Sequence, residues 1–180
     1  MLMYELNSER LFYRSISLEY CTNSYVSWMN DFEVIKYLET GGNYTIEKLT
    51  EYINNVINTK LFFLAIHTKE NGKHIGNIKI DPINTKHGYG EYGILMGDKS
   101  EWGKGYAFEA SMTVIDFSFK ILGLRKICLG VVNENYPAMN LYKKLGFKVE
   151  GVYKNHGIYN GKYLDIIRMA LFNPNLNFSE

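Results

Sequence analysis

Gly97-Asp98-Lys99-Ser100-Glu101-Trp102-Gly103-Lys104-Gly105-Tyr106-Ala107 is the stretch from which the rest of the chain can be read. It follows a strand-like run, Tyr89 to Met96, and opens a helical run from about Tyr106 to Leu122 that Gly123 stops as a C′ residue. Two of its glycines fall where the backbone must come close to a partner. The free N–H groups of a first helical turn, together with the positive end of the helix dipole, suit such a turn to a diphosphate. A Rossmann loop would need a third glycine two positions further on and an acidic residue about 20 later; here the pattern is Gly103-x-Gly105-x-Ala107. The spacing of a P-loop is absent as well. Taken alone, the turn is read equally well as a purely structural strand-to-helix connection.

Working outward from it, the chain alternates in type. Arg10 to Ile16 reads as a first strand, with Leu11 and Tyr13 sharing one face. Tyr20 to Leu38, broken at Asn30-Asp31, reads as two short helices. Thr45 is the N-cap of a helix through Ile57, whose stripe is Ile46, Leu49, Ile53, Val56 and Ile57. Leu61 to Ile66 is a buried strand, Asn71-Gly72 a hairpin turn, and Ile75 to Ile80 the return strand, ended by Asp81-Pro82.

After the glycine turn and its helix, Ile127 to Val132 is wholly apolar apart from Gly130, as a central strand should be. Pro137 starts a further helix that Gly146 ends. Strands near Val149–Ile158 and Lys162–Leu171 are joined by the tight turn Asn160-Gly161. Hairpins thus surround one strand–helix–strand crossover. The expected fold is mixed α+β: a mostly antiparallel central sheet with one parallel crossover, flanked by helices.

Composition agrees with a single domain over residues 1–180, its core at about 8–171 and a short tail at 172–180. With 20 basic and 19 acidic side chains the net charge is +1, which argues against a nucleic-acid partner. No run approaches a membrane span, and Met1 to Asn7 lacks the basic and apolar regions of a signal peptide. Cys21 and Cys128 cannot build a disulfide framework, so a reducing, cytoplasmic setting is expected. His67, His74, His87 and His156 have no metal-ligand spacing and are expected at the surface or in turns, with no metal bound.

Thirty residues after the glycine turn stands Asn133-Glu134-Asn135-Tyr136-Pro137-Ala138-Met139-Asn140-Leu141-Tyr142-Lys143-Lys144-Leu145-Gly146-Phe147. In this order and spacing the two segments resemble those of the GNAT N-acetyltransferase superfamily. Ser8-Glu9-Arg10-Leu11, Trp28-Met29-Asn30-Asp31, Glu91-Tyr92-Gly93 and Tyr159 to Asp165 resemble its RimJ/RimL-like branch. The resemblance implies acetyl-CoA as co-substrate, an amine acceptor, and a sheet in which the cofactor lies between two diverging strands. It implies cofactor contacts at Leu95, Met96, Trp102, Gly103, Lys104, Gly105, Tyr106, Ala107, Asn135 and Tyr142. Homodimers are common among such proteins. One departure is Trp102, which stands where the family usually has Gln or Arg; Lys104 is the candidate for compensating charge.

An alkylamine is mostly protonated at pH 7, so a carboxylate must take its proton. The resemblance points to Glu91 as that base, ahead of Glu33, Glu39 and Asp165, and to Tyr142 as the acid that protonates the leaving thiolate. The plain alternatives are a solvent-facing strand carboxylate and a core tyrosine. The acceptor pocket is expected from the aromatic-rich N-terminal helices and last hairpin, with Trp28, Glu33, Tyr37 and Tyr159 as substrate-binding residues. Their aromatic excess favours a small amino sugar; a polyamine or a protein N-terminus is the alternative, and a non-catalytic CoA-binding sensor is the reading from another class.

Overall fold

Local signals explain most of the elements in the computed structural model, which describes residues 5–59 and 61–176. The first unit runs through Lys79 and includes Ile94–Ala110; the second comprises Ile80–Gly93 and the residues from Ser111 onward. The first residues of the sequence, where a leader was judged absent, and the end of the expected tail lie outside the described residues.

In the first unit, β1 (Glu5–Asn7) and β2 (Leu11–Ser15) form an antiparallel pair, and β2 continues the ladder with β3 (Phe62–Thr68). Between β2 and β3 lie a 3-10 turn at Leu18–Tyr20 and three helices, α1 (Asn23–Asn30), α2 (Phe32–Ile35) and α3 (Ile46–Asn58). Asp31 ends α1 and caps α2, its carboxylate accepting the Glu33 N–H, which is why the two helices break there. Thr45 caps α3 through the Lys48 N–H. The α3 stripe delivers Leu49, Ile53 and Val56 into a core shared with Ile16, Tyr20, Tyr25, Trp28, Met29 and Phe63. Full burial of such side chains contributes about 1.5–3 kcal/mol each.

Strand β4 (His74–Asn84) runs on past Asp81-Pro82, where the sequence suggested a stop. β4 has 11 residues against the 7 of β3, so its last residues outrun that neighbour, and proline is tolerated at such positions. β5 (Tyr89–Met96), α4 (Tyr106–Lys120), β6 (Lys126–Val132), α5 (Tyr136–Lys144), β7 (Lys148–Tyr159) and β8 (Lys162–Phe172) match the elements read from the sequence to within a few residues.

The hydrogen-bonded strand order is β1-β2-β3-β4-β5-β6-β8-β7, with β5 and β6 parallel. This is the mixed, mostly antiparallel sheet expected. In the second unit β6 pairs along its whole length with β8, and β8 with β7 through a turn in which Asn160 and Gly161 both have positive φ. Ile127, Leu129 and Val131 line one buried face of β6, and Cys128 and Val132 are buried on the other.

Candidate active site

The glycine turn belongs to the first unit and is held by its side chains rather than by its glycines. After β5, Asp98 accepts hydrogen bonds from the Ser100 N–H (3.0 Å) and hydroxyl (2.6 Å), winding a 3-10 turn over Lys99–Glu101. Lys73 pairs with Asp98 at 2.5 Å. Gly103 and Gly105 have φ of +76° and +82°, which other residues adopt only with strain, and α4 starts at Tyr106. A Cβ on Gly103 would meet nothing within 4 Å, so that face of the turn is open. A helix start beside open space suits a diphosphate, and the residues present fit the acetyl-CoA that the resemblance implies.

Two features of the turn differ from expectation. Lys104 pairs with Glu101 at 2.7 Å, which lowers the Glu101 carboxyl and raises the lysine, so its charge is offset locally. Trp102 donates its indole N–H to the Met96 carbonyl at 2.8 Å, fastening the turn to the end of β5. Met96 therefore has its carbonyl engaged, and the Leu95 carbonyl fills the place of a Cβ on Gly76, 2.2 Å away.

A second cation that braces the turn is Arg10, which sequence reasoning did not assign. Its Nη1 donates to the Lys104 carbonyl (2.9 Å), its backbone N–H and Nε donate to Glu109 of α4 (2.7 Å each), and its guanidinium lies 4.7 Å over the Tyr106 ring. The Ser8 hydroxyl also donates to Glu109, at 2.7 Å. Burial alone would raise the Glu109 carboxyl; these donors outweigh it and hold the group low. Ser8-Glu9-Arg10 at the head of the recognised pattern was the available signal.

The candidate reacting groups belong to the second unit. Among the described residues the parallel β5–β6 ladder consists of Tyr89↔Lys126, Gly90↔Ile127 and Glu91↔Cys128, and ends there. Glu91 stands at this last pair and is ion-paired with Arg168 of β8. The next residue, Tyr92, points to the opposite face, where its hydroxyl meets Ser111 at 2.6 Å and its ring packs edge-on to Tyr142 of α5.

Tyr142 is buried, and desolvation pushes its phenol up to about 12, so it is protonated at neutral pH. Asn135 caps α5 by accepting the Ala138 N–H at 3.3 Å. Asp165, a lesser candidate base, is committed to Lys154 (2.8 Å) and the Asn155 N–H (2.9 Å) within the last hairpin.

The expected substrate residues belong to both units. Trp28 is 7% exposed, and its ring fills the space a Cβ on Gly97 would take. With His67, His74, Asp98 and Lys99 it lines a cavity of about 730 Å³ in the first unit. Glu33 is exposed and pairs with Lys36, which also lies 5.5 Å over Tyr37. Tyr159 ends β7 in the second unit. His67 and His74 are strand residues stacked on each other at 5.2 Å, not surface or turn histidines. Among the described residues no cluster of metal-ligating side chains occurs, and no helix is long and apolar enough to cross a membrane.

Residues 10–148, well over half of the chain, match the family described as Acetyltransferase (GNAT) domain. The chain belongs to the GNAT acetyltransferase family. An uncharacterised N-acetyltransferase p20 of Bacillus licheniformis is 30% identical over 173 residues, covering 94% of this chain and 96% of that protein. The spermidine N(1)-acetyltransferase of Escherichia coli K12 is 37% identical over 101 residues, 56% of this chain and only 54% of that enzyme. Among solved structures, the Vibrio cholerae spermidine N-acetyltransferase in complex with CoA and spermine superposes with a TM-score of 0.81 at 27% identity, covering 91% of this chain and 95% of that one. In this GNAT chain the glycine turn is braced by the Arg10–Glu109 pair, and Glu91 is paired with Arg168.

Proposed function

We propose that this protein is an N-acetyltransferase that moves an acetyl group from acetyl-CoA to a primary amine by direct attack in a ternary complex. The observation that carries this reading is the open-faced turn at Gly103–Gly105, which presents the first N–H groups of a 15-residue helix within a chain of the GNAT family. The turn, with Tyr106 and Ala107, would hold the cofactor diphosphate through backbone groups. Leu95, Met96 and Asn135 would serve the remaining cofactor contacts the resemblance implies.

When bound, acetyl-CoA supplies an activated acetyl group: the acceptor nitrogen gains a C–N bond as the C–S bond breaks, and CoA leaves as the thiol. Glu91 takes one proton from the incoming ammonium and later releases it to water, leaving a neutral amine to attack. Tyr142, protonated across the neutral range, gives its proton to the departing sulfur. The second proton lost by the nitrogen replaces it. Trp28, Glu33, Tyr37 and Tyr159 are the residues we assign to the acceptor, a small amine such as an amino sugar, with the polyamine named for the relatives as the alternative.

The deciding experiment is release of free thiol from acetyl-CoA across a panel of amino sugars, polyamines, amino acids and peptides. Thiol release with any amine supports the enzyme. Thermal protection by acetyl-CoA, but not by NAD or ATP, with no thiol release from any acceptor would make it a sensor instead.

A further inference from the structure

The Glu91–Arg168 pair bears on which amine is accepted. β5 and β8 flank β6 and the two residues are offset by two positions along it, so they start roughly 12 Å apart. They meet over β6, where Arg168 is paired in register with Gly130. A Cβ on Gly130 would lie 3.0 Å from the Arg168 guanidinium and 3.1 Å from Ile166, so glycine is what lets the arginine cross. Gly130 is nonetheless exposed while Leu129 and Val131 on either side are buried. An open glycine inside an interior strand marks a place where a ligand can reach the backbone. The two charged side chains keep 29% and 26% of their surface open beside it, and the Tyr153 ring lies 5.9 Å from the guanidinium.

We propose that this pair is the acceptor subsite for an amine carrying its own carboxylate close by, an amino-carboxylate of the α-amino acid type, with Glu91 receiving the ammonium and Arg168 the carboxylate. The inference rests on the reading that Glu91 faces the acceptor nitrogen. Such an acceptor exchanges one internal ion pair for two intermolecular ones, so neither side chain is left unpaired as water is displaced. Arg168 offers a planar fork that suits a carboxylate. A polyamine that takes Glu91 instead leaves the guanidinium unpaired beside further positive charge, and like charges brought together at an interface are costly. An amino sugar brings no carboxylate and so leaves Arg168 without a partner.

The test compares matched acceptors: an L-amino acid panel, the corresponding amino acid amides, spermidine and glucosamine, assayed by thiol release from acetyl-CoA. The expected result is that kcat/KM for the acids exceeds that for their amides by about tenfold or more, the value of a charge-assisted hydrogen bond. That ratio collapses toward one in Arg168→Gln and recovers in part in Arg168→Lys. The wild-type ratio decides the matter even if a variant folds poorly. Turnover of amides or spermidine as fast as of acids, or a ratio unchanged in Arg168→Gln, overturns the subsite and leaves the acetyltransferase intact. No turnover with any amine overturns both.

Discussion

The glycine turn and the Glu91–Tyr142 region are built in opposite ways for the roles we propose. At the turn, the groups suited to a ligand are backbone N–H groups, and the side chains around them, Arg10, Glu109, Trp102 and Asp98, serve as bracing. In the mechanism we propose, the side chains of Glu91 and Tyr142 carry the chemistry themselves; Glu91 stands on β5, and Tyr142 stands on α5 with its ring edge-on to Tyr92, the residue after Glu91. The difference teaches which lesions should separate binding from turnover. Bracing residues should change cofactor affinity; chemical residues should change rate.

The sharpest separation is expected at Tyr142. Phenylalanine keeps the packing on Tyr92 and Phe147 but removes the proton, so kcat should fall about a hundredfold or more, with the acetyl-CoA KM moving little. If kcat and KM change together, Tyr142 is a core residue and the contrast between the regions fails there. Glu91→Gln should lower kcat/KM for the acceptor by an order of magnitude or more, with the loss widening as pH falls and more of the amine is protonated. A pH–rate profile of unchanged shape would remove Glu91 from the base role.

On the bracing side, Arg10→Ala should raise the acetyl-CoA KM about fivefold, some 1 kcal/mol for an ion pair on a partly exposed arginine, with kcat nearly constant. Arg10→Lys, which keeps charge but loses the fork, should recover only part of it. A fall in kcat at constant KM would show that the brace reaches the chemistry. The smallest effect is on stability. Burial first, then neighbouring His74 and Arg14, pushes His67 down to about 4, and burial lowers His74 as well. The unfolded chain therefore takes up protons on these rings near pH 6.5 while the folded one resists, so their contribution is whole above that pH and is lost as pH falls toward 4. Thermal midpoints measured from pH 7.5 to 4 should decline, and less steeply in His67→Gln.

Much of the fold was legible because glycine, proline and capping residues punctuate it. Gly123, Asn135, Pro137, Gly146 and Asn160-Gly161 mark boundaries by local chemistry, and the elements stop where those residues stand. The site was legible only where a contiguous pattern encodes it. Arg10–Glu109 and Glu91–Arg168 join residues 99 and 77 positions apart, and no periodicity reports such a pairing. His87 and His156 are exposed as expected, but His67 is not, for a related reason: β3 is buried at all seven positions, so it has no polar alternation to show which face His67 takes. Trp102 read as a lost contact because residue type alone does not reveal an indole N–H directed at a carbonyl six residues back.

Gly97 opens the glycine turn yet is hemmed in like a core position, since any side chain there would start 2.1 Å from the Trp28 indole. Randomising this loop to alter cofactor choice would therefore meet uneven tolerance: position 103, with open space around it, loses only conformational ease, whereas position 97 admits no replacement unless residue 28 is varied in the same library.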